Sequence, residues 1–307
     1  MEKRLSLIVA TYNRADKVLI TLRSIIEQQA DPSLWEAIIV NNNSTDSTAE
    51  VVSKFISENP RFDIRLVREH RQGLSYARNC GIESSVAPLI AIIDDDEEVV
   101  PTYISSYIQF FDTHPEVASA GGAVIARYES RCPKWMSHLV EIPIVNPISE
   151  RATAAPFPKG KIPGGGNMAI RRIAIEKYGA FDPELGRRGD QLLGGEESNL
   201  FDRLRRGGEQ VWFVPEAAIY HIIPDSKLTL EYQRKLWFNI GVSQLRRGRI
   251  EGVSPLVILL REALKWGVTL ALALLYTLML SPQKAYYLMA MRRNISSGII
   301  SALKKIH

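Results

Sequence analysis

A run of acidic residues follows an apolar segment near residue 93. Residues 92–98 read Ile-Ile-Asp-Asp-Asp-Glu-Glu, which places Asp94, Asp95 and Asp96 directly after a strand-like stretch. Hard divalent cations such as Mg2+ or Mn2+ bind carboxylate oxygens, and a cation that also contacts a diphosphate needs only one or two protein ligands. The run by itself is compatible with a solvated acidic turn. Its place at the end of a strand, beside other polar clusters, favours a metal site.

A second acidic pair opens a helix-like segment. Glu196 and Glu197 follow two glycines and precede a helical period. Carboxylates in the first turn stabilise a helix through its dipole, and that explanation is sufficient for this segment alone. A carboxylate held over a reaction centre could instead act as a general base. His221 follows the strand-like residues 211–214 and, taken alone, is more typical of a packed histidine than of a ligand.

A glycine-rich segment lies between these clusters. Residues 161–169 read Lys-Ile-Pro-Gly-Gly-Gly-Asn-Met-Ala, and three glycines before Asn167 allow backbone amides to approach a ligand closely. A flexible connection is the alternative. Neither a P-loop pattern nor GxGxxG is present, which argues against ATPases and dinucleotide enzymes. The absence of GxSxG, and of a cysteine with a motif partner, argues against nucleophilic hydrolases.

The elements that must position these residues follow an α/β pattern. From residue 5 to about 115, short β-branched runs alternate with helical periods, which predicts a parallel sheet covered by helices. The predicted strands are 5–10, 37–40, 64–67 and 89–93, and the predicted helices begin near residue 13 or 16 and span 44–57 and 74–84. The carboxyl ends of such strands share one edge, where open α/β sheets bind ligands. Polar residues at 11–13, 41–46 and 94–98 therefore converge.

Composition limits the class of protein. The 307 residues suffice for one large domain or a domain with an appendage, and 46% hydrophobic with 23% charged residues excludes a wholly disordered, collagen-like or multi-span chain. A net charge of +4 does not indicate a nucleic-acid partner. Cys80 and Cys132 lack disulfide or zinc spacing, so a reducing compartment is expected. The first apolar run, 5–10, is too short for a signal peptide, which predicts a cytoplasmic location.

Two further segments depart from the α/β pattern. Residues 128–165 are rich in proline and poor in periodicity, which predicts a long surface excursion that serves as a binding loop. Residues 256–280 are strongly apolar, but their uncharged part, 266–280, covers about 22 Å as a helix, short of a bilayer core of roughly 30 Å. Flanking basic residues favour helices that lie in an anionic membrane surface. A helical hairpin packed on protein is the alternative.

Six motifs in order connect these observations. They are residues 6–14, 39–46 and 73–79, the 94–96 run with Pro101 behind it, and residues 165–168 and 195–197. Each is weak alone, but the ordered series resembles glycosyltransferase family 2 over about residues 4–245. The resemblance implies a GT-A (Rossmann-like) fold, with a mixed, mostly parallel sheet flanked by helices. It implies a catalytic domain over 1–250, which leaves apolar C-terminal helices over 251–307.

The resemblance also implies roles at the nucleotide. It places Tyr12 beside the base, Asn42 and Asp46 at the nucleoside pocket, and Arg78 near the nucleotide. Asn167, with its neighbours, falls under the donor sugar or the acceptor. The family usually has aspartate at the position of Asn41, a departure that could alter base preference.

The remaining implied roles concern the metal and the chemistry. Asp94 or Asp95 falls near the ribose, and Asp96 falls on a divalent cation, Mn2+ or Mg2+. His221 lies where some members have an additional metal ligand or phosphate contact. Glu197 lies at the position of the catalytic base, where the family usually has aspartate. A glutamate there remains able to deprotonate an acceptor hydroxyl if the backbone retreats by about one methylene.

The expected function is therefore an inverting transfer of a sugar from a nucleotide-diphosphate donor, UDP as the family prior, to a glycan or lipid-linked acceptor. Polysaccharide or glycolipid biosynthesis at the inner face of the cell membrane is the expected setting, and residues 128–165 and 187–193 are expected to shape acceptor choice. The alternatives are a non-catalytic nucleotide-sugar-binding membrane scaffold, and a metal-dependent phosphohydrolase or nucleotidyltransferase. The segment after the first strand lacks the basic, glycine-rich loop typical of nucleotidyltransferases.

Overall fold

A computed structural model of the chain describes residues 2–148, 152–158, 160–189 and 191–304. The strands are β1 (Leu5–Thr11), β2 (Trp35–Asn41), β3 (Ile64–Arg68), β4 (Leu89–Asp94), β5 (Glu97–Val99), β6 (Ser119–Tyr128), β7 (Ala155–Pro156), β8 (Met168–Arg171) and β9 (Val211–Ile223). The α-helices are α1 (Val18–Ile26), α2 (Thr48–Glu58), α3 (Leu74–Ser84), α4 (Tyr103–Thr113), α5 (His138–Val145), α6 (Arg172–Tyr178), α7 (Glu196–Arg206), α8 (Leu230–Ile250), α9 (Pro255–Leu278) and α10 (Pro282–Lys304).

The strands of the described residues form one mixed sheet. Its order is β3-β2-β1-β4-β8-β6-β9-β5, with β7 paired to β9. Strands β1 to β4 are parallel to one another, whereas β8 is antiparallel to both β4 and β6. This arrangement confirms the predicted mixed, mostly parallel sheet flanked by helices, a GT-A-like fold. The carboxyl ends of β1, β2 and β4 meet at one edge.

Burial explains why the sequence forms this sheet. Every residue of β1 and β2 is buried, as expected for central strands that are covered on both faces. Helix α3 packs tightly on the sheet because Gly81 has no side chain, and a Cβ there would lie 2.4 Å from Ile8 Cγ2. The core continues across the antiparallel strand through the buried Met168 and Ile170.

Two predicted helix starts are wrong by a few residues, for the same local reason. Helix α1 begins at Val18 rather than near residue 13 or 16, and α2 begins at Thr48 rather than at 44. Asn13 and Asn43 have φ angles of 52° and 60°, in the left-handed region that ends regular structure. The polar residues that follow each asparagine form turns at the sheet edge before the helix starts.

The chain divides into two compact units. The first contains Met1–Arg127, Pro147–Glu184 and Glu196–Ile222, and it includes almost the whole sheet. The second contains Tyr128–Asn146, Leu185–Gly195 and Ile223–His307. Residues 223–250 therefore lie in the second unit, whereas the sequence pattern places them with the N-terminal domain.

The segment 128–165 is not entirely irregular, because α5 occupies its first half. Positions 149–151, 159 and 190 of the two expected binding loops lie outside the described residues.

The second unit is built from α5, α8, α9 and α10. Helices α8 and α10 cross closely at two glycines: a Cβ on Gly241 would lie 2.0 Å from the carbonyl oxygen of Ile295, and one on Gly298 would lie 2.0 Å from that of Phe238. Helix α10 also packs along α9. Among the helices that the structure describes, none has both the length and the apolar character needed to cross a bilayer.

Candidate active site

The loops after β1 and β4 are joined through Asp95. Its carboxylate accepts a hydrogen bond of 2.7 Å from Thr11 Oγ1 and lies 3.4 Å from the Nε of Arg14. Burial raises the pKa of Asp95 to about 7, and the charges of Asp96 and Asp94 add to this effect, whereas Arg14 opposes it. The aspartate run is therefore fixed in the site and is not a solvated turn.

Strand pairing brings His221 to Asp96. Short strand β5, directly after the aspartate run, pairs antiparallel with β9 so that Glu97 is opposite His221. The Ile222 amide also donates a hydrogen bond of 3.0 Å to the carbonyl oxygen of Asp96. As a result, Asp96 Oδ1 and His221 Nε2 lie 3.7 Å apart, both on largely buried side chains. A carboxylate oxygen beside an imidazole nitrogen is a donor set that suits Mn2+ and, less well, Mg2+.

A buried arginine links three parts of the site. Arg78, on α3, is 1% exposed. Its Nη2 donates to Asp94 Oδ1 at 2.9 Å and to the carbonyl oxygen of Gly165 at 3.0 Å, and its Nη1 donates to Glu196 Oε1 at 3.1 Å. Burial lowers the pKa of Arg78, but the neighbouring carboxylates outweigh this and raise it, so the guanidinium stays charged. Through these bonds Arg78 holds Asp94 in place, and the implied role of Arg78 near the nucleotide remains a prediction.

The two adjacent glutamates at the start of α7 have different surroundings. Glu196 is buried and paired with Arg78, whereas Glu197 Oε1 lies against Gly165, only 2.9 Å from where a Cβ would stand. Within the described residues, Glu197 Oε2 receives no hydrogen bond although it is buried. Burial raises the pKa of Glu196 to about 8, the charge of Glu197 adds to this, and Arg78 opposes it. Glu196 Oε2 likewise receives no hydrogen bond from the described part of the chain, but Glu196 is held by Arg78 through Oε1, whereas Glu197 is the more exposed of the two side chains.

The glycine-rich segment makes room for carboxylates. A Cβ on Gly166 would lie 1.9 Å from Glu97 Oε1, so only glycine fits beside that buried side chain. Glu97 Oε2 accepts a hydrogen bond of 2.9 Å from the Asp94 amide. Burial raises the pKa of Glu97 well above its usual range, and the charges of Asp94 and Asp96 contribute. Glu97 thus fixes the backbone from which the aspartate run starts.

Asn167 is fully buried and its side chain is engaged in the sheet. The hydroxyl of Tyr107 donates to Asn167 Oδ1 at 2.7 Å, and Asn167 Nδ2 donates to the carbonyl oxygens of Ala123 and Ala217 at 3.0 and 2.8 Å. These bonds hold β6 and β9 beside the start of β8. Any contact of this segment with a donor sugar must therefore come from its backbone or from neighbouring residues. The role that the resemblance implies for the Asn167 side chain remains a prediction.

Asn42 also has a positioning role. Its Nδ2 donates to the carbonyl oxygens of Glu69 and Arg71 at 3.1 and 2.8 Å, and its Oδ1 accepts a 2.8 Å bond from the Gly73 amide. These bonds connect the end of β2 with the turn that starts α3. Tyr12, at the end of β1, is partly exposed at the same edge.

A second asparagine turn completes this rim. Asn13 Oδ1 accepts a 2.8 Å bond from the Thr45 amide, and Asn41 Oδ1 accepts a 3.0 Å bond from the Ser44 amide. Asp46 accepts from the Ala15 amide at 3.2 Å. The polar residues after β1 and β2 therefore form one cross-linked rim, and Asn41 fulfils its turn role without a negative charge.

The site combines residues to which the resemblance assigns roles with two to which it assigns none. Asp94, Asp95, Asp96, Arg78, Glu197 and His221 are joined directly or through shared partners in the first unit. Glu97 and Glu196 have no role in the motif pattern, yet both are buried in the cluster. Glu196 lies inside the motif at 195–197 and Glu97 directly follows the aspartate run, but the sequence does not show which groups either carboxylate contacts.

Comparison with known proteins gives a consistent result. The model described as "Glycosyl transferase family 2" matches residues 6–179, more than half of the chain. The succinoglycan biosynthesis protein ExoM of Rhizobium meliloti is 27% identical over 236 residues, which cover 76% of this chain and 71% of ExoM. A glucosyl-dolichyl phosphate glucuronosyltransferase of Haloferax volcanii is 24% identical over 71% of this chain and 69% of its own.

Two solved structures are similar in fold. The mannosyltransferase PcManGT from Pyrobaculum calidifontis, solved with GDP-Man and Mn2+, aligns over 100% of this chain and 89% of its own, with a TM-score of 0.66 and 16% identity. TarS 1-349 of S. aureus, solved with UDP-GlcNAc, aligns over 98% of this chain and 92% of its own, with a TM-score of 0.57 and 16% identity.

Proposed function

The chain belongs to glycosyl transferase family 2, and we propose that it transfers a sugar from a UDP-linked donor to an acceptor hydroxyl with inversion at the anomeric carbon. One observation carries the proposal. Buried Arg78 bonds to Asp94, Gly165 and Glu196, so the aspartate run and the start of α7 belong to one cluster. The cluster thus combines carboxylates suited to a nucleotide and its cation with a carboxylate that can accept a proton.

The donor would bind along the rim formed by the ends of β1, β2 and β4. Tyr12 would lie beside the base, and Asp94, whose side chain is 35% exposed, would meet the ribose together with Asp95. Asn42 and Arg78 would hold the surrounding loops rather than contact the sugar. The two solved structures were obtained with GDP-Man and UDP-GlcNAc, which supports a nucleoside diphosphate sugar as the donor class.

Asp96 and His221 would hold the divalent cation. The pair offers one oxygen and one nitrogen donor, which favours Mn2+ over Mg2+, and a diphosphate would complete the coordination. When bound, the ion would neutralise negative charge on the leaving diphosphate. Asp95, held by Thr11 and Arg14, would keep the loop that carries Asp96 in place.

Glu197 would act as the general base. Its Oε2 would take the proton of the acceptor hydroxyl as that oxygen bonds to the anomeric carbon and the bond from this carbon to the diphosphate oxygen breaks. A single displacement from the opposite face inverts the configuration. Arg78 and Glu196 would orient the start of α7, so that most of the rate gain would come from positioning and fixed charges.

We place this reaction in polysaccharide or glycolipid biosynthesis, with a glycan or lipid-linked acceptor, at the cytoplasmic face of the cell membrane. The names of the two relatives, one in succinoglycan biosynthesis and one acting on a dolichyl phosphate sugar, support this setting. The first test is nucleotide binding. A thermal-shift titration against UDP, GDP, CDP and dTDP, with and without Mn2+, should stabilise the wild type with UDP plus metal and leave Asp96→Ala unchanged. An equal metal-dependent shift in Asp96→Ala would contradict the metal assignment.

The second test concerns the base. With labelled UDP-sugar and membrane lipid extract as acceptor, Glu197→Gln should lower the transfer rate by about 10²–10⁴-fold while nucleotide binding is retained. Glu50→Gln, an exposed position on α2, is the matched control and should keep full activity. Full activity in Glu197→Gln would refute the base assignment. Nucleotide binding by the wild type without turnover on any extract would favour the non-catalytic scaffold.

A further inference from the structure

Helix α9 in the second unit has its polar side inward and its apolar side outward. Its buried residues include Glu262 and Thr269, which are 5% and 3% exposed. Most of its exposed residues are large and apolar, with Arg261, Lys265 and Thr277 as the polar ones among them. Leu256, Leu260, Leu264, Val268, Leu270, Leu274 and Leu278 are 53–75% exposed. A surface helix in water has the opposite arrangement. The outward face therefore suits a hydrocarbon surface.

Hydrogen bonds fix this orientation. Glu262 accepts from Arg292 Nη1 at 3.1 and 3.2 Å and from Ser296 Oγ at 2.8 Å, both on α10. Trp266 Nε1 donates to the same hydroxyl at 2.9 Å. Rotating α9 to bury its leucines would separate Glu262 from Arg292 and Ser296. Separating a buried ion pair is costly, because it leaves a buried charge without compensation.

The apolar face ends in an unusual turn. Leu280 is 90% exposed and has a φ of 54°, a left-handed conformation that glycine or asparagine adopts at lower cost. The Ser281 amide closes the turn with a 2.8 Å bond to the carbonyl oxygen of Tyr276. The chain thus presents a leucine at a position where both its conformation and its exposure are unfavourable in water.

A cavity of about 410 Å³ adjoins this turn. Its lining consists of Arg131, Pro133, Lys134, Trp135, Asp225, Leu228, Thr229 and Gln283. Gln283 is in the first turn of α10, three positions after Leu280. The indole of Trp135 stacks on Tyr287 of α10, with ring centroids 3.9 Å apart and planes within 7°, which fixes one wall of the cavity.

The charges of the cavity favour an anion. Arg131 and Lys134 are exposed, and the part of the chain that the structure describes offers neither of them an ion pair. Asp225 is the acidic residue among the lining, and it accepts a 2.5 Å bond from Ser130 Oγ. Two cations and one carboxylate leave a net positive charge at the mouth, which suits a phosphate.

We propose that this cavity and the α9 turn together bind an amphiphile: a lipid phosphate whose head contacts Arg131 and Lys134 and whose hydrocarbon chain lies along the exposed leucines ending at Leu280. The occupant to which we commit is an isoprenyl phosphate carrier of the acceptor sugar, an assignment that rests on the proposed transferase function. The cavity's polar lining, Asp225, Thr229 and Gln283, would contact sugar hydroxyls next to the phosphate.

Vesicle flotation of the full chain tests this site. The vesicles are phosphatidylcholine with a small fraction of long-chain isoprenyl phosphate, of the uncharged isoprenol, or of phosphatidylglycerol at equal charge. The first should capture the wild type best, and Arg131→Ala/Lys134→Ala should weaken that capture about thirtyfold. Arg249→Ala/Arg293→Ala, which removes the same charge from exposed positions of this unit outside the cavity, should change capture less than about threefold. Equal capture by phosphatidylglycerol, or equal losses in both double variants, would overturn the site.

A second variant tests the apolar part without the risk of unfolding. Leu280→Asn suits the left-handed turn and should preserve or raise thermal stability while capture falls. Unchanged capture would refute the role of the turn. The nucleotide titration of the wild type separates this site from the proposed function, because it uses no lipid. Lipid-phosphate capture without a nucleotide shift would refute the transferase proposal, and with it the identification of the lipid as the acceptor carrier, but not the lipid site. A nucleotide shift without capture would refute the lipid site alone.

Discussion

Replacing Glu196 with glutamine should stabilise the protein, and increasingly so as the pH rises. Glu196 is buried next to Glu197, and its pKa of about 8 stands well above the ordinary 4.5. Between these two values the folded protein holds a proton that the unfolded chain releases, so the free energy of unfolding decreases as the pH rises. Glutamine has nearly the shape of the protonated acid, its Oε1 can still accept from Arg78 Nη1, and Arg78 keeps Asp94 as its ion-pair partner.

The difference in free energy of unfolding between the variant and the wild type follows from the single proton that Glu196 binds in the folded state. Each pH unit inside the window costs the wild type about 1.4 kcal/mol relative to the variant. The two proteins should therefore have similar stability at and below about pH 4.5, and the variant should be more stable by about 1.4 kcal/mol near pH 5.5 and by about 4 kcal/mol, about three such units, near pH 7.5. Asp95 and Glu97 also have raised pKa values, but both proteins contain them, so their contribution cancels in the difference.

Urea denaturation at several pH values between about 5 and 8 measures this difference. Glu231→Gln, an exposed position on α8, is the control and should follow the wild type at every pH. Parallel curves for Glu196→Gln and the wild type would show that Glu196 is ionised throughout. A variant that is less stable at the high end would show that the Arg78 ion pair outweighs the cost of burial. Either result would refute the reasoning.

Two substitutions in the turn before β8 should destabilise the protein, because each disturbs a defined set of buried contacts. Gly166→Ala sets a methyl group 1.9 Å from the buried Glu97 carboxylate and should lower the free energy of unfolding by about 3 kcal/mol or more, measured by thermal denaturation. Gly194→Ala is the control and should be nearly neutral, because no described atom lies within 4 Å of the added Cβ. Asn167→Ala removes three hydrogen bonds, to two buried carbonyl oxygens and to the Tyr107 hydroxyl, and should lower the free energy of unfolding by about 3 kcal/mol. Tyr107→Phe removes one of these bonds and should lower it by about 1 kcal/mol. Equal effects of the latter two would contradict the network.

The local pattern predicts the parallel half of the sheet well. Strands β1 to β4 occupy nearly the predicted residues, because fully buried parallel strands require continuous apolar runs. The same pattern misplaces the starts of α1 and α2, because the spacing of apolar residues does not show that Asn13 and Asn43 adopt a left-handed conformation. The antiparallel half is harder to predict, because its order depends on pairings between distant segments such as β5 with β9.

The candidate site also contains residues that the sequence predicts and residues whose contacts only the structure shows. Asp94 to Asp96 and Glu197 are predictable, because their residue types and their order along the chain are themselves the signal. Two residues could be interpreted only from their contacts. Both Nη atoms of Arg78 bond to protein groups, and the side-chain amide of Asn167 bonds to carbonyl groups of β6 and β9. Residue type alone cannot distinguish a polar side chain that faces a ligand from one that satisfies buried backbone groups.

By itself, the sequence determined the family, the covered sheet and the place of the aspartate run at the end of β4, because these depend on local periodicity and on residue identity. Only the tertiary structure decided which of two adjacent glutamates pairs with Arg78, and that His221 reaches Asp96 across paired strands. It also decided which side of α9 faces inward, because Arg292 and Ser296 lie about thirty residues further along the chain. Burial, pKa and the direction of an apolar face depend on such distant neighbours, which a local pattern does not contain.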